Sequence, residues 1–178
     1  MQTTSIQYDK AIKLCKDIFF KKMKDYGTAW RNLRLPSLTD QILIKAQRIK
    51  SIESKGTQKV GDDIKGEYIG IINYCIISMI QIELADDARM DLPVDEIERY
   101  FNKQVAATKK LMEDKNHDYG EAWRDMRISS LTDLILMKIF RVKQIEDNMG
   151  ITIISEGVDA NYMDMMNYSV FALIKLDS

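Results

Sequence analysis

The sequence predicts an all-α protein: two tandem three-helix repeats, residues 1–86 and 93–178, packed as an intrachain pseudo-dimer into one compact helical bundle. Three observations predict it. Residues 22–53 recur as residues 115–146 at a constant offset of 93, with 19 identities over those 32 positions, and self-similarity of this kind marks an internal repeat. Apolar residues recur at helical rather than strand spacing. Only two prolines occur, Pro36 and Pro93, and both stand at the start of an expected helix, where a missing N–H is harmless.

The first helix of each copy is expected over residues 6–24 and 93–115. In the second copy Ile97, Tyr100, Phe101, Val105, Thr108, Leu111 and Met112 fall at helical spacing, and the pattern breaks at Asp118-Tyr119-Gly120, as it does at Asp25-Tyr26-Gly27 in the first. The second helix is expected from Ser37 and Ser130. There Ser-x-x-Asp resembles a capping box with aspartate in place of glutamate, so Asp40 and Asp133 read as first-turn acids that oppose the helix dipole. The stripe Leu38, Ile42, Ala46, Ile49 follows, and Gly56 and Gly150 stand beyond the ends. The third helix, over residues 62–84 and 159–176, is apolar almost all round and so belongs at the centre. Asn73-Tyr74 returns in it as Asn167-Tyr168, now at an offset of 94. Neither copy can hide such a helix alone, so the two should share one core. The acidic segment 85–92 joins the copies. Residues 151–154 are the one stretch that could be extended.

Composition bounds the function. The 178 residues carry 26 Lys+Arg against 27 Asp+Glu, a net charge of −1, which argues against an extended nucleic-acid-binding surface or a polybasic membrane role. The single histidine, His117, and the two cysteines, Cys15 and Cys75, cannot build a His/Cys zinc site, so any metal would be a hard, oxygen-bound ion. Residues 68–82 are too short and too often interrupted by polar residues to span a bilayer. The N-terminus lacks the features of a signal peptide, so the expected compartment is the cytoplasm and the expected state of the cysteines is reduced.

The segment Lys22-x-x-Asp25-Tyr26-Gly27-x-Ala29-Trp30-Arg31 and its copy, Lys115-x-x-Asp118-Tyr119-Gly120-x-Ala122-Trp123-Arg124, gather polar, aromatic and glycine residues. Read for function, Asp25, Asp118, Tyr26 and Tyr119 are candidate catalytic groups, and Trp30 and Trp123 are platforms on which a base would stack. Lys22, Lys115, Arg34 and Arg127 would then bind substrate. Read for structure, the same aromatics plug the core of a short connector. On the second helix Lys45 and Arg48, and likewise Lys138 and Arg141, share a face. They would either clamp a phosphate or form a solvated basic face. Polar residues inside the apolar third helix must be hydrogen-bonded or bind something; these are Glu67 and Asn73 in the first copy and Asn161, Asp164 and Asn167 in the second. An acid pair one helical turn apart would hold Mg²⁺, yet Glu67 is followed by Gly70 and Asp164 is preceded by Asn161. One reading has Glu67 and Asp164 meeting across the pseudo-dyad as a composite metal site. The other has Asn73 and Asn167 bonding between helices, with both acids in solvent.

Lys-x-x-Asp-Tyr-Gly, then Leu-Thr-Asp with Lys-x-x-Arg, then an acidic helix entering Asn-Tyr, resembles the bacterial and phage nucleotide modification associated domain family over nearly all of both copies. The chain is more distantly similar to the MazG-like all-α nucleoside triphosphate pyrophosphohydrolases, which bind Mg²⁺ through acidic motifs on two helices. It departs from them where Lys45-x-x-Arg48 and Lys138-x-x-Arg141 replace the first acidic pair. The resemblance implies a nucleotide-handling protein acting on a nucleotide or other phosphorylated small molecule, by Mg²⁺-dependent hydrolysis or modification of its phosphate. The competing expectation is a non-catalytic helical binding or assembly module, and the sequence leaves a homo-oligomer open. The enzyme reading requires Trp30, Lys45, Arg48 and an acid to converge on one cavity.

Overall fold

The computed structural model describes residues 3–55, 63–150 and 157–178. The described residues form six α-helices: α1 (Thr4–Tyr26), α2 (Leu35–Lys55), α3 (Asp63–Glu83), α4 (Val94–Tyr119), α5 (Ile128–Asp147) and α6 (Val158–Leu176). One 3₁₀ turn (Ala29–Asn32) links α1 to α2, and another (Ala122–Asp125) links α4 to α5. There is no strand among the described residues. Gly56 and the 151–154 stretch expected to be extended lie outside them.

The first helices run further than the periodicity suggests. α1 starts after Thr3, whose hydroxyl accepts the Ile6 N–H at 3.3 Å, and continues through Asp25 and Tyr26. It stops at Gly27 (φ 57°), and α4 stops at Gly120 (φ 62°), a backbone region that a residue without Cβ enters at little cost. The Asp-Tyr pairs are therefore the last exposed turn of a helix and not part of a loop. The expected capping boxes do not form. α2 and α5 begin at Leu35 and Ile128, so Ser37 and Ser130 already lie inside the helix.

The recurrent Thr-Asp has another use, on the pseudo-dyad. Thr39 Oγ1 lies 2.7 Å from the Tyr162 hydroxyl, and its counterpart Thr132 Oγ1 lies 2.6 Å from the Tyr68 hydroxyl. Asp40 pairs with Lys143 at 2.8 Å and Asp133 with Lys50 at 3.6 Å. Each copy thus hydrogen-bonds the other through the same residues. Around these polar links α3 packs on α6, each packs on its own second helix, and α2 packs on α5. The shared core contains Ile42, Ile72, Ile76, Ile135, Met166 and Val170, all fully buried; each such side chain contributes roughly 1.5–3 kcal/mol by leaving water. No helix among the described residues is long and apolar enough to cross a membrane. Both cysteines are free and buried, and burial pushes the Cys15 thiol up to about 12.

The connector between copies is pinned rather than loose. The Arg31 guanidinium, itself buried, donates to the Arg89 carbonyl at 3.0 Å, to the Asp87 and Leu84 carbonyls and to the Gln81 side-chain oxygen. Thr28 donates to the Met90 carbonyl at 2.7 Å and accepts the Leu92 N–H at 3.2 Å. Arg89 bridges Asp87 and Glu96, and its hydrogen bonds hold the Asp87 carboxyl down at about 2.

Candidate functional site

In the first copy the last turns of α1, the 3₁₀ turn and the facing sides of α2 and α3 enclose a cavity of about 580 Å³, within the range of small-molecule pockets. Helical spacing places Lys22 and Tyr26 one turn apart at its mouth, above Phe19 and Met23. Gly27 then turns the chain so that Trp30, half-buried, forms a side wall with Leu33. Ile69, Gly70, Asn73, Tyr74 and Ile77 of α3 form the floor, and Lys45 of α2 crosses it. A Cβ built on Gly70 would lie 2.7 Å from Lys45 Cε, so the missing side chain is what lets the lysine lie flat there. Lys45 Nζ is 5.8 Å from the centre of the Tyr74 ring and 3.6 Å from Glu67 Oε2. Glu67 also binds Arg48. Lys22 has no ion-pair partner among the described residues.

The corresponding residues of the second copy meet one another. Asp164, with 5% of its side chain exposed, is bridged by Lys115 Nζ at 2.7 Å and Lys138 Nζ at 3.0 Å. Trp123, buried where Trp30 is half-buried, stacks on Phe171 with ring centres 4.3 Å apart and planes 4° from parallel. Arg124 lies over its other side at 4.4 Å and donates to Thr4 and Gln7 of α1. Burial, with the Asp164 charge close by, pushes the neighbouring Tyr168 hydroxyl up.

Among the residues singled out from the sequence, Lys22, Tyr26, Trp30 and Lys45 converge on the cavity. Asp25 and Arg34 are exposed and do not line it, and Arg48 is turned to Glu67. In the second copy Asp118 and Tyr119 are exposed, and Asp118 lies 3.3 Å from His117 Nδ1. Arg127 is the residue preceding α5, and Arg141 reaches Gln144. Glu67 and Asp164 are each held by cations of their own copy, and they are largely buried rather than in solvent. The described residues contain no group of three or more His, Cys, Asp or Glu side chains suited to hold a metal ion.

Asn73 and Asn167 do bond between helices, to the carbonyls of Cys15 and Thr108, both at 3.1 Å. They differ at the second atom. Asn167 Oδ1 accepts the Tyr8 hydroxyl at 2.8 Å, whereas Asn73 Oδ1 is buried without a partner. The residue matching Tyr8 in the second copy is Phe101, which has no hydroxyl to give.

Two wall positions escaped the sequence reading, Ile77 and its counterpart Phe171, because both are apolar residues in an apolar helix. Gln81 escaped it too, although its side-chain amide donates to the carbonyls of Trp30, Arg31 and Leu33 and so fixes the 3₁₀ turn. Its one visible signal was a polar residue near the end of α3.

Comparison with curated proteins and with solved structures returned no match. The family described as nucleotide modification associated domain 1 matches residues 22–82 and again residues 115–176, each match running from the lysine at the mouth of the site to the end of the third helix. The chain belongs to that family, which it carries twice in tandem.

Proposed function

We propose that the chain binds a nucleotide, or another phosphorylated small molecule bearing a planar ring, in the cavity of its first copy. One observation carries the reading: Trp30, a ring platform, and two lysines, Lys22 and Lys45, border the same cavity of about 580 Å³. Aromatic stacking contributes about 1–3 kcal/mol per base, and lysine ammonium groups neutralise phosphate. The word "nucleotide" in the family's description supports the same class of ligand. Binding is favoured over hydrolysis because Arg48 and Glu67 pair with each other and do not line the cavity with Trp30 and Lys45. Glu67, the carboxylate nearest the cavity's lysine, is held by Lys45 and Arg48, and no acid lines the cavity itself, so the described residues do not fit an Mg²⁺ site there.

The test is a thermal-shift and calorimetric panel of nucleoside mono-, di- and triphosphates, with and without Mg²⁺. A ligand at a hundred times its dissociation constant stabilises the fold by about 2.7 kcal/mol. A shift with nucleotides and none with the bare nucleosides is expected. No shift with any nucleotide would leave the chain as an assembly module, and release of phosphate or pyrophosphate would restore the hydrolase reading.

A further inference from the structure

The two copies share Lys22/Lys115, Trp30/Trp123 and Lys45/Lys138, and differ around them at Glu67/Asn161 and, more tellingly, at Gly70/Asp164 and Ile77/Phe171. In the second copy those last two positions supply an anion and a flat ring. The Asp164 carboxylate sits between the lysines at 2.7 and 3.0 Å, and the Phe171 ring lies on the indole at 4.3 Å. In the first copy Gly70 offers no carboxylate and Ile77 no ring. Its carboxylate stands one turn earlier, at Glu67, where Arg48 and Lys45 hold it and Lys22 is left without an acid among the described residues. Gly70 and Ile77 line the cavity, and Lys45 lies across the space that a side chain at position 70 would take.

We infer that the second copy is occupied by its own side chains and shows the chemistry of the ligand that the first copy takes. That ligand places an anionic group between Lys22 and Lys45, beside Gly70, and a planar ring against Trp30, and the chain binds one equivalent per two copies. This rests on the nucleotide-binding reading and adds to it the position of each ligand group and the stoichiometry. A phosphate monoester, with about −1.5 to −2 charges near neutral pH, suits two lysines better than the single carboxylate that serves in the second copy. The matched anion is therefore a nucleoside monophosphate or the terminal phosphate of a longer one.

Titration calorimetry of the whole chain with the 5′-monophosphates of adenosine, guanosine, cytidine and thymidine tests it, with the nucleosides and inorganic phosphate as separate probes. The wild-type chain is expected to bind one equivalent of at least one nucleotide. Gly70→Asp with Ile77→Phe should weaken that binding at least tenfold in a chain that still unfolds cooperatively, because the new side chain displaces Lys45, which lies 2.7 Å from its Cβ position, and its carboxylate competes with the ligand for Lys22 and Lys45. The converse variant, Asp164→Gly with Phe171→Ile, should raise the stoichiometry to two. Unchanged affinity in the first variant, two equivalents bound by the wild-type chain, or a single equivalent bound by the folded converse variant would overturn the inference while leaving nucleotide binding intact. No binding by the wild-type chain overturns both. If the converse variant does not fold, the first variant together with Lys22→Ala, expected to bind at least tenfold more weakly, decides the matter.

Discussion

The two copies are alike where they touch each other, and around the cavity of the first they share Lys22, Trp30 and Lys45 but differ in what faces them. At the pseudo-dyad the same threonines, tyrosines, aspartates and lysines make the same bonds in both directions. Elsewhere on the third helices, Gly70 is matched by Asp164 and Ile77 by Phe171. The second copy buries its tryptophan more fully and pairs both of its lysines with one carboxylate. The contrast teaches that recurrence in this chain marks both the pseudo-dyad and the frame of lysines and tryptophan, while departure from recurrence marks where the surroundings of that frame differ between the copies.

Substitutions at matched positions sharpen or break that comparison. The largest difference is expected between Arg31 and Arg124. Removing the buried Arg31 leaves several connector carbonyls without a donor, so Arg31→Ala should cost about 3 kcal/mol, whereas Arg124→Ala, on a half-buried side chain, should cost less than about 1 kcal/mol. Urea unfolding measures both, and equal losses would mean that the connector is not held in the way described. A smaller difference is expected at Tyr8 and Phe101. Tyr8→Phe leaves the Asn167 carbonyl oxygen unpaired and should cost about 1–2 kcal/mol. Phe101→Tyr gives Asn73 Oδ1 its missing donor and should add up to about 1 kcal/mol. A loss from Phe101→Tyr would show that the dyad does not extend to this pair.

The smallest effect is one that both copies share. Glu53 and Glu146 are matched and half-buried; burial is the main cause that raises both carboxyls, with hydrogen bonds from Thr132 and Thr39 opposing it. A carboxyl whose pKa is higher folded than unfolded binds its proton more tightly in the folded state. Stability therefore falls as pH rises from the unfolded glutamate value, about 4.3, through the folded one. Glu53→Gln with Glu146→Gln should flatten that fall and leave the chain more stable than wild type at pH 7, as read by Tm across pH 4–8. An unchanged slope would remove the two carboxyls from the pH response.

Much of this was legible in the sequence, for identifiable reasons. The repeat and its six helices follow from an offset and a period, both of them local properties of a string. Boundaries were less legible. Asp25 and Tyr26 are polar and exposed, so the apolar pattern ends before the helix does. Ser37 reads as a cap because the partner that Asp40 has instead, Lys143, lies more than a hundred residues away. At the site, Lys22, Trp30 and Lys45 were legible because they recur, and Asp25 was over-read for the same reason. The gap at Gly70 was visible as half of an acid pair, but its meaning needed the lysines of the second copy to be seen closing on Asp164. Ile77 and Phe171 gave no signal at all, since hydrophobicity does not distinguish a wall from a plug.

The hydrogen bonds that Gln81 and Arg31 make around the 3₁₀ turn have a thermodynamic consequence for any guest of the first copy. The backbone that carries Trp30 is tied to both α3 and the connector before a ligand arrives, so the platform is preorganised and its ordering entropy is not charged against association. Binding there should resemble docking onto a fixed wall. Its heat-capacity change should reflect the apolar surface covered by the ring and not the folding of a loop.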